Sequence, residues 1–180
     1  MIALTLPAML LLLIPVIVAE GLICRKSLGW RTEDAIRLNA ASNLASTLVG
    51  VPIAWGAMLL MELGAGALLF QSKAIQNWDS PLANVIYVFI GAAWIGPEEG
   101  TIWMIPAAIL VLLVPFFFAS YWVEYFVIKA MLGRRKEDQL KFEPTKTRIA
   151  VRNANLITYG AMFVGTAVWL VVEMARHKKS

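Results

Sequence analysis

Two acidic residues lie inside apolar stretches of this sequence and could form a polar site within a membrane. Glu20 precedes Arg25 at the end of one apolar run, and Glu124 precedes Lys129 at the end of another. A carboxyl group in such a position is costly unless it is paired or hydrated, so each is a candidate functional residue. The chemistry open to them is the binding of a cation, a proton or a lipid headgroup.

Each glutamate is followed by an asparagine that opens the next apolar run. These are Asn43, within the sequence AASNLAST, and Asn155, within RNANLITY. If each pair of runs folds back as a helical hairpin, Glu20 and Asn43 share a depth about one turn inside the membrane boundary, as do Glu124 and Asn155. The pattern therefore predicts a hydrogen bond within each hairpin.

Two interpretations of the four residues remain open. They form either a shared polar site that binds a ligand, or two structural clamps between helices. An asparagine bond between membrane helices contributes only about 0.6–2 kcal/mol, and each carboxyl group could also pair with Arg37 or Arg152 on the following helix. The repetition itself reflects either chance or a duplicated hairpin, which would give parallel repeats about an axis along the membrane normal.

The composition is typical of a helical membrane protein. Of its 180 residues, 59% are hydrophobic and 16% are charged, and the mean hydropathy is +0.70, whereas about a quarter of the residues are charged in soluble domains. A membrane-crossing helix needs about 20 apolar residues. Four stretches are long enough, at about 2–24, 38–70, 102–128 and 149–174. We expect an all-α, polytopic integral membrane four-helix bundle that forms a single membrane domain over residues 1–180.

Two features predict departures from four straight spans. The stretch 38–70 is longer than one bilayer crossing, and the segment Gly50-Val51-Pro52 predicts a kink near its middle. Between the second and third spans, Ser80-Pro81 and Gly96-Pro97 frame an apolar helix at about 81–95. Because this helix is too short to cross the hydrocarbon core, we expect it to lie in the outer interface.

The basic residues predict the orientation. The loop of residues 25–37 carries four Lys and Arg residues and the loop of residues 129–152 carries eight, of 16 in the chain. By the positive-inside rule both loops are cytoplasmic, and the N-terminus and C-terminus are both outside. The expected location is the bacterial inner (plasma) membrane, with the lipid bilayer as a partner.

This sequence lacks the reactive residues on which most enzyme mechanisms depend. The single cysteine, Cys24, and the single histidine, His177, exclude an intrachain disulfide, a thiolate metal cluster and paired histidine ligation of haem. No glycine-rich phosphate loop is present. The basic residues border the predicted spans and do not alternate with aromatic residues as a nucleic-acid surface would. We expect no enzyme, no cofactor, no metal site and no nucleic-acid partner.

Two functions fit these observations. The first is a non-catalytic accessory or assembly subunit of a larger membrane complex, in contact with other membrane subunits or with itself. Small residues at helical spacing, such as Ala161 and Gly165, support close helix packing of that kind. The alternative is a small ion- or proton-coupled carrier or channel that uses an intramembrane cluster of glutamate and asparagine.

Overall fold

The computed structural model describes residues 2–69, 103–133 and 143–177, with side chains from residue 11 onward except for some in the second half of α2 and for His177. These residues form four helices, α1 (Ile2–Leu28), α2 (Thr32–Leu69), α3 (Met104–Gly133) and α4 (Pro144–His177). No strand occurs within these ranges. The all-α fold class is therefore confirmed, and the predicted helix at 81–95 lies outside the described residues.

Two of the helices are long and apolar enough to cross a membrane. They are Met104–Gly133, with a mean hydropathy of 2.2, and Pro144–Arg176, with 1.6. In Pro144–Arg176, only 11% of the most apolar 18-residue segment is buried inside the protein. Val164 and Val168 are among the exposed side chains of this helix. This outward apolar surface is suited to lipid. Four membrane spans remain a prediction.

A left-handed glycine ends α1 and allows the chain to turn into α2. Gly29 has a φ of 68°, and its N–H donates to the carbonyl oxygen of Arg25 at 2.9 Å. A glycine in the left-handed conformation often follows a helix, and its N–H then donates to one of the last free carbonyl groups of that helix. The first turn of α2 contains Glu33 and Asp34, whose negative charges favour a helix N-terminus.

The chain divides into two compact units, and the division crosses the helices. One unit, called the hairpin unit below, comprises Thr5–Val51 and Phe116–Ala161. The described parts of the second unit are residues 2–4, 52–69, 103–115 and 162–177. In α2 the division falls at Pro52, which lies inside one continuous helix. The kink predicted near this residue remains a prediction.

In the second unit, buried residues recur along one face of α3. Met104, Ala108 and Leu112 are spaced by four residues and are all buried, as expected for a packed helix face, and Pro106 on another side of the helix is buried as well. Near the end of α4, Glu173 accepts hydrogen bonds from Trp169 Nε1 at 3.2 Å and from Arg176 at 3.0 Å.

An apolar layer occupies the interior of the hairpin unit, and most of its residues lie between the glutamates and the helix ends at Leu28 and Gly133. It consists of Cys24, Trp30, Ala35, Leu38, Tyr121, Tyr125, Ile128, Leu132, Ala150, Val151 and Ala154. All four helices or their flanking residues contribute to it. Full burial of a large aliphatic or aromatic side chain stabilises a fold by about 1.5–3 kcal/mol. The next layer of the unit is polar.

The two hairpins bury corresponding positions. From residue 35 to residue 46, α2 buries Ala35, Leu38, Asn39, Ser42, Asn43 and Ser46, and α4 buries Thr147, Ala150, Val151, Ala154, Asn155 and Thr158 at the same spacing. In the same way, Glu20 and Cys24 of α1 correspond to Glu124 and Ile128 of α3. The hairpins therefore turn equivalent faces toward the interior of the unit, which supports their interpretation as parallel repeats.

Gly21 marks a close approach of α1 and α2. A Cβ atom at Gly21 would lie 2.6 Å from Cδ1 of Ile36 and 3.3 Å from its Cα. At Gly160, in α4, a Cβ atom would meet nothing within 4 Å. The first position therefore requires a glycine for packing, and the second does not.

We expect Gly21→Leu to lower the free energy of unfolding by about 3 kcal/mol, because the added side chain overpacks the contact between α1 and α2. Gly160→Leu is the matched control and should leave stability unchanged or raise it by up to about 1 kcal/mol through helix propensity. Thermal unfolding of both variants in detergent measures the difference. Equal unfolding midpoints would contradict this packing.

Candidate functional site

The two candidate glutamates meet in the interior of the hairpin unit. Glu20 on α1 and Glu124 on α3 are each only 1% exposed. Each carboxyl group lies close enough to the other to interact with it electrostatically. We refer to Glu20 and Glu124 together as the glutamate pair.

Each oxygen atom of the glutamate pair also accepts a hydrogen bond from a neutral donor. Asn43 Nδ2 donates to Glu20 Oε2 at 2.7 Å, and Thr158 Oγ1 donates to Glu20 Oε1 at 2.7 Å. Asn155 Nδ2 donates to Glu124 Oε2 at 2.6 Å, and Ser46 Oγ donates to Glu124 Oε1 at 3.1 Å. All four carboxyl oxygens are therefore satisfied by side chains.

These contacts cross between the two hairpins with the same pattern. Each glutamate receives an amide from the asparagine of its own hairpin and a hydroxyl from the other hairpin. Each hydroxyl residue lies three positions after an asparagine, so the two donors of α2 share one face of that helix, as do the two of α4. The site has the symmetry expected of two parallel repeats that face each other.

Bonds to the helix backbone fix the orientation of the two asparagines. Asn43 Nδ2 also donates to the carbonyl of Asn39 at 3.1 Å, and Asn155 Nδ2 donates to that of Val151 at 3.2 Å. Each amide is thus tied to the carbonyl one turn earlier. The amide nitrogen is thereby directed at the carboxyl group on the neighbouring helix.

The structure does not bring the predicted arginine partners to the glutamates. Arg37 and Arg152 are exposed, and Arg152 donates to the side chain of the adjacent Asn153 at 3.4 Å. No Lys or Arg among the described residues contacts either carboxyl group. The apolar layer lies between the glutamate pair and the connections, so these carboxyl groups do not extend to the helix ends.

The surroundings of Cys24 do not form a metal site. Its Sγ lies 3.7 Å from Oδ1 of Asn39, whose amide nitrogen donates to the carbonyl of Ala35 at 2.8 Å. Within the described parts of the chain, no three His, Cys, Asp or Glu residues are arranged to hold a metal ion. Cys24 is a buried free thiol packed in the apolar layer.

A pair of hydroxyl groups lies on the other side of the glutamate pair. Ser120 Oγ and Tyr159 Oη are 2.7 Å apart, and Tyr159 Oη also donates to the carbonyl of Phe116 at 3.3 Å. Ser120 is one helical turn before Glu124, on the same side of α3. The site therefore borders apolar side chains in one direction along the helices and hydroxyl groups in the other.

The hydroxyl donors were not predicted from the sequence as members of the site. A signal for them exists, because Asn43-Leu44-Ala45-Ser46 and Asn155-Leu156-Ile157-Thr158 share the pattern Asn-Leu-x-Ser/Thr. That pattern does not reveal which carboxyl group each hydroxyl meets. The hydroxyl of Thr158 and the carboxyl of Glu20 are 138 positions apart in the sequence.

One acceptor of the cluster is unsatisfied. Oδ1 of Asn155 is buried and has no hydrogen-bond partner among the described residues. A buried acceptor without a donor costs about 1–3 kcal/mol. It belongs to the same amide whose nitrogen donates to Glu124, so the site has capacity for one further proton donor.

Contact between two buried carboxyl groups has a direct chemical consequence. Any hydrogen bond between two carboxyl groups requires a proton on one of them. Two full negative charges about 4 Å apart would repel by about 4 kcal/mol at an effective dielectric constant of about 20, and adjacent carboxyl groups avoid this by sharing a proton. With neutral donors on every oxygen, the glutamate pair is suited to hold one proton.

No protein family model matches the sequence, and no curated protein or solved structure is significantly similar to it. The function must therefore be argued from the residues of the site.

We expect Thr158→Val to lower the free energy of unfolding by about 1–3 kcal/mol, because it leaves Glu20 Oε1 buried without its donor. Thr47→Val is the matched control, because the Thr47 hydroxyl bonds only to the carbonyl of Asn43 within its own helix. Chemical denaturation in detergent compares the two variants. If both have the same stability, the crossed hydrogen bond contributes nothing to the fold.

Proposed function

We propose that this chain is a small membrane carrier or channel that conducts protons, with the glutamate pair as its proton-binding site. The observation that carries the proposal is the contact between two buried carboxyl groups that no basic residue among the described residues neutralises. A clamp between helices needs only neutral hydrogen-bonding groups. Two ionisable groups in direct contact provide something further, which is a proton that can be gained and lost.

The donor set supports a proton as the transported ion. Each carboxyl oxygen already has an amide or hydroxyl donor, and a bound metal cation would have to displace these donors. A proton needs no such rearrangement. If the pair gains a second proton, the hydroxyl of Ser46 or Thr158 can rotate to accept a hydrogen bond from the new carboxylic acid.

The surroundings of the pair support exchange from one side. The apolar layer, with Leu38, Ile128 and Val151, covers the pair on one side. The Ser120 and Tyr159 hydroxyls lie on the opposite side. In the proposed state, protons reach the pair past these hydroxyls, and a second state of the helices opens the site to the other side.

The proposed setting is a bacterial inner membrane crossed by all four helices. The basic loops at 25–37 and 129–152 would face the cytoplasm, so the hydroxyl side of the glutamate pair would face outward. The exposed apolar side chains of all four helices support this setting.

Proton transport can be measured with the protein reconstituted in liposomes that enclose a pH-sensitive dye. With an imposed pH gradient and a compensating potassium current, the wild-type protein should acidify or alkalinise the lumen faster than protein-free liposomes. Glu20→Gln and Glu124→Gln should each reduce the rate to that of protein-free liposomes, because glutamine keeps the shape of the side chain but cannot release a proton.

Glu143→Gln is the matched control. Glu143 is exposed and pairs with Lys146 at the surface, so its substitution should leave the flux unchanged. Flux that survives in both site variants would contradict the proposal. So would a wild-type protein that adds nothing to the flux of empty liposomes.

A second candidate is the accessory or assembly subunit of a larger membrane complex. It is favoured by the exposed small residues of α4, where Ala161 and Gly165 are exposed and a Cβ atom at Gly165 would meet no atom within 4 Å. Close packing of another helix uses such positions. Purification in mild detergent tests this candidate, since a monodisperse monomer without a co-purifying partner would count against it.

A further inference from the structure

A groove with basic side chains lies at the connection between α1 and α2. One cavity of about 530 Å³ is lined by Leu22, Arg25, Lys26, Gly29 and Trp30. An adjoining cavity of about 420 Å³ is lined by Arg25, Trp30, Arg31, Thr32 and Glu33. Because Arg25 and Trp30 line both cavities, we treat them as one feature, called the basic groove.

The turn at Gly29 places cations from two helices around this groove. Arg25 and Lys26 belong to the last turn of α1, and Arg31 immediately precedes α2. Among the residues that line the groove, one carries a negative charge, Glu33, against these three cations. The groove is therefore electropositive.

The side chains around the groove form a buried base with an exposed, charged rim. Trp30 is 5% exposed and packs in the apolar layer, which holds the indole in place. Arg25, Lys26 and Arg31 are exposed. Guanidinium and ammonium groups in this arrangement donate to the oxygens of a phosphate, and arginine does so with two parallel bonds.

An exposed apolar stripe on α1 leads away from the groove. It starts at Leu22 on the groove wall and continues along one helix face through Val18, Ile14 and Leu11, all of which are at least 44% exposed. Residues at this spacing lie along the same side of a helix. A cationic pocket that continues into an apolar helix face matches a molecule with a phosphate head and a hydrocarbon tail.

We propose that the basic groove binds the phosphate group of an anionic phospholipid, with an acyl chain along the Leu11–Leu22 face of α1. Binding rests on charge and on the apolar stripe, and it does not involve the glutamate pair. The site is thus independent of the proposed transport function. Inorganic phosphate shares the headgroup chemistry but gains nothing from the stripe.

Native mass spectrometry of the purified full-length chain in detergent, titrated with phosphatidylglycerol, measures the affinity directly. We expect phosphatidylglycerol to bind more tightly than phosphatidylcholine. Each of Arg25→Gln, Lys26→Gln and Arg31→Gln should weaken phosphatidylglycerol binding by about fivefold, the effect of removing one juxtamembrane charge. Lys129→Gln, at the position of the second hairpin that corresponds to Arg25, is the matched control and should bind as the wild type does.

A second titration with inorganic phosphate distinguishes the two sources of the phosphate group. Phosphatidylglycerol binding that inorganic phosphate alone does not reproduce supports a lipid site. Binding of inorganic phosphate without binding of lipid overturns the lipid site. Equal affinity of the wild type for phosphatidylglycerol and phosphatidylcholine, or a loss in the Lys129→Gln control as large as in the groove variants, also overturns it.

Discussion

The burial of Glu20 and Glu124 close together is the constraint on which the hairpin unit depends. Burial of an ionisable group costs several kcal/mol unless the surroundings replace the hydrogen bonds that water provided. Here the replacement comes from four side chains on α2 and α4, one for each carboxyl oxygen. Because each glutamate uses donors from both hairpins, neither hairpin alone can satisfy its own carboxyl group.

This constraint accounts for the arrangement of the surrounding layers. The four helices must align so that both asparagines and both hydroxyls reach the pair at the same depth, and the close approach at Gly21 permits that alignment between α1 and α2. The apolar layer then separates the pair from the basic connections. As a result, the glutamates are kept away from the arginines that would otherwise neutralise them, and their proton remains exchangeable in the proposed mechanism.

The sequence alone predicted the local part of this site and missed the tertiary part. Glu20 with Asn43, and Glu124 with Asn155, could be matched because a helical hairpin places residues of equal depth side by side. The hydroxyl contacts join residues 78 and 138 positions apart, so they depend on how the hairpins face each other, which no local pattern specifies. Depth alone also suggested Arg37 and Arg152 as possible partners of the glutamates, but depth does not determine the helix face, and both side chains are exposed.

The central claim is that the glutamate pair holds a proton, and infrared spectroscopy of the purified protein at neutral pH tests it most directly. Exposed carboxyl groups are ionised at that pH, so a carbonyl stretching band of a protonated carboxylic acid reports a buried one. We predict this band in the wild type and in Glu143→Gln, and its loss in the double variant Glu20→Gln, Glu124→Gln. A wild-type spectrum without the band would contradict the account, because both glutamates would then be ionised.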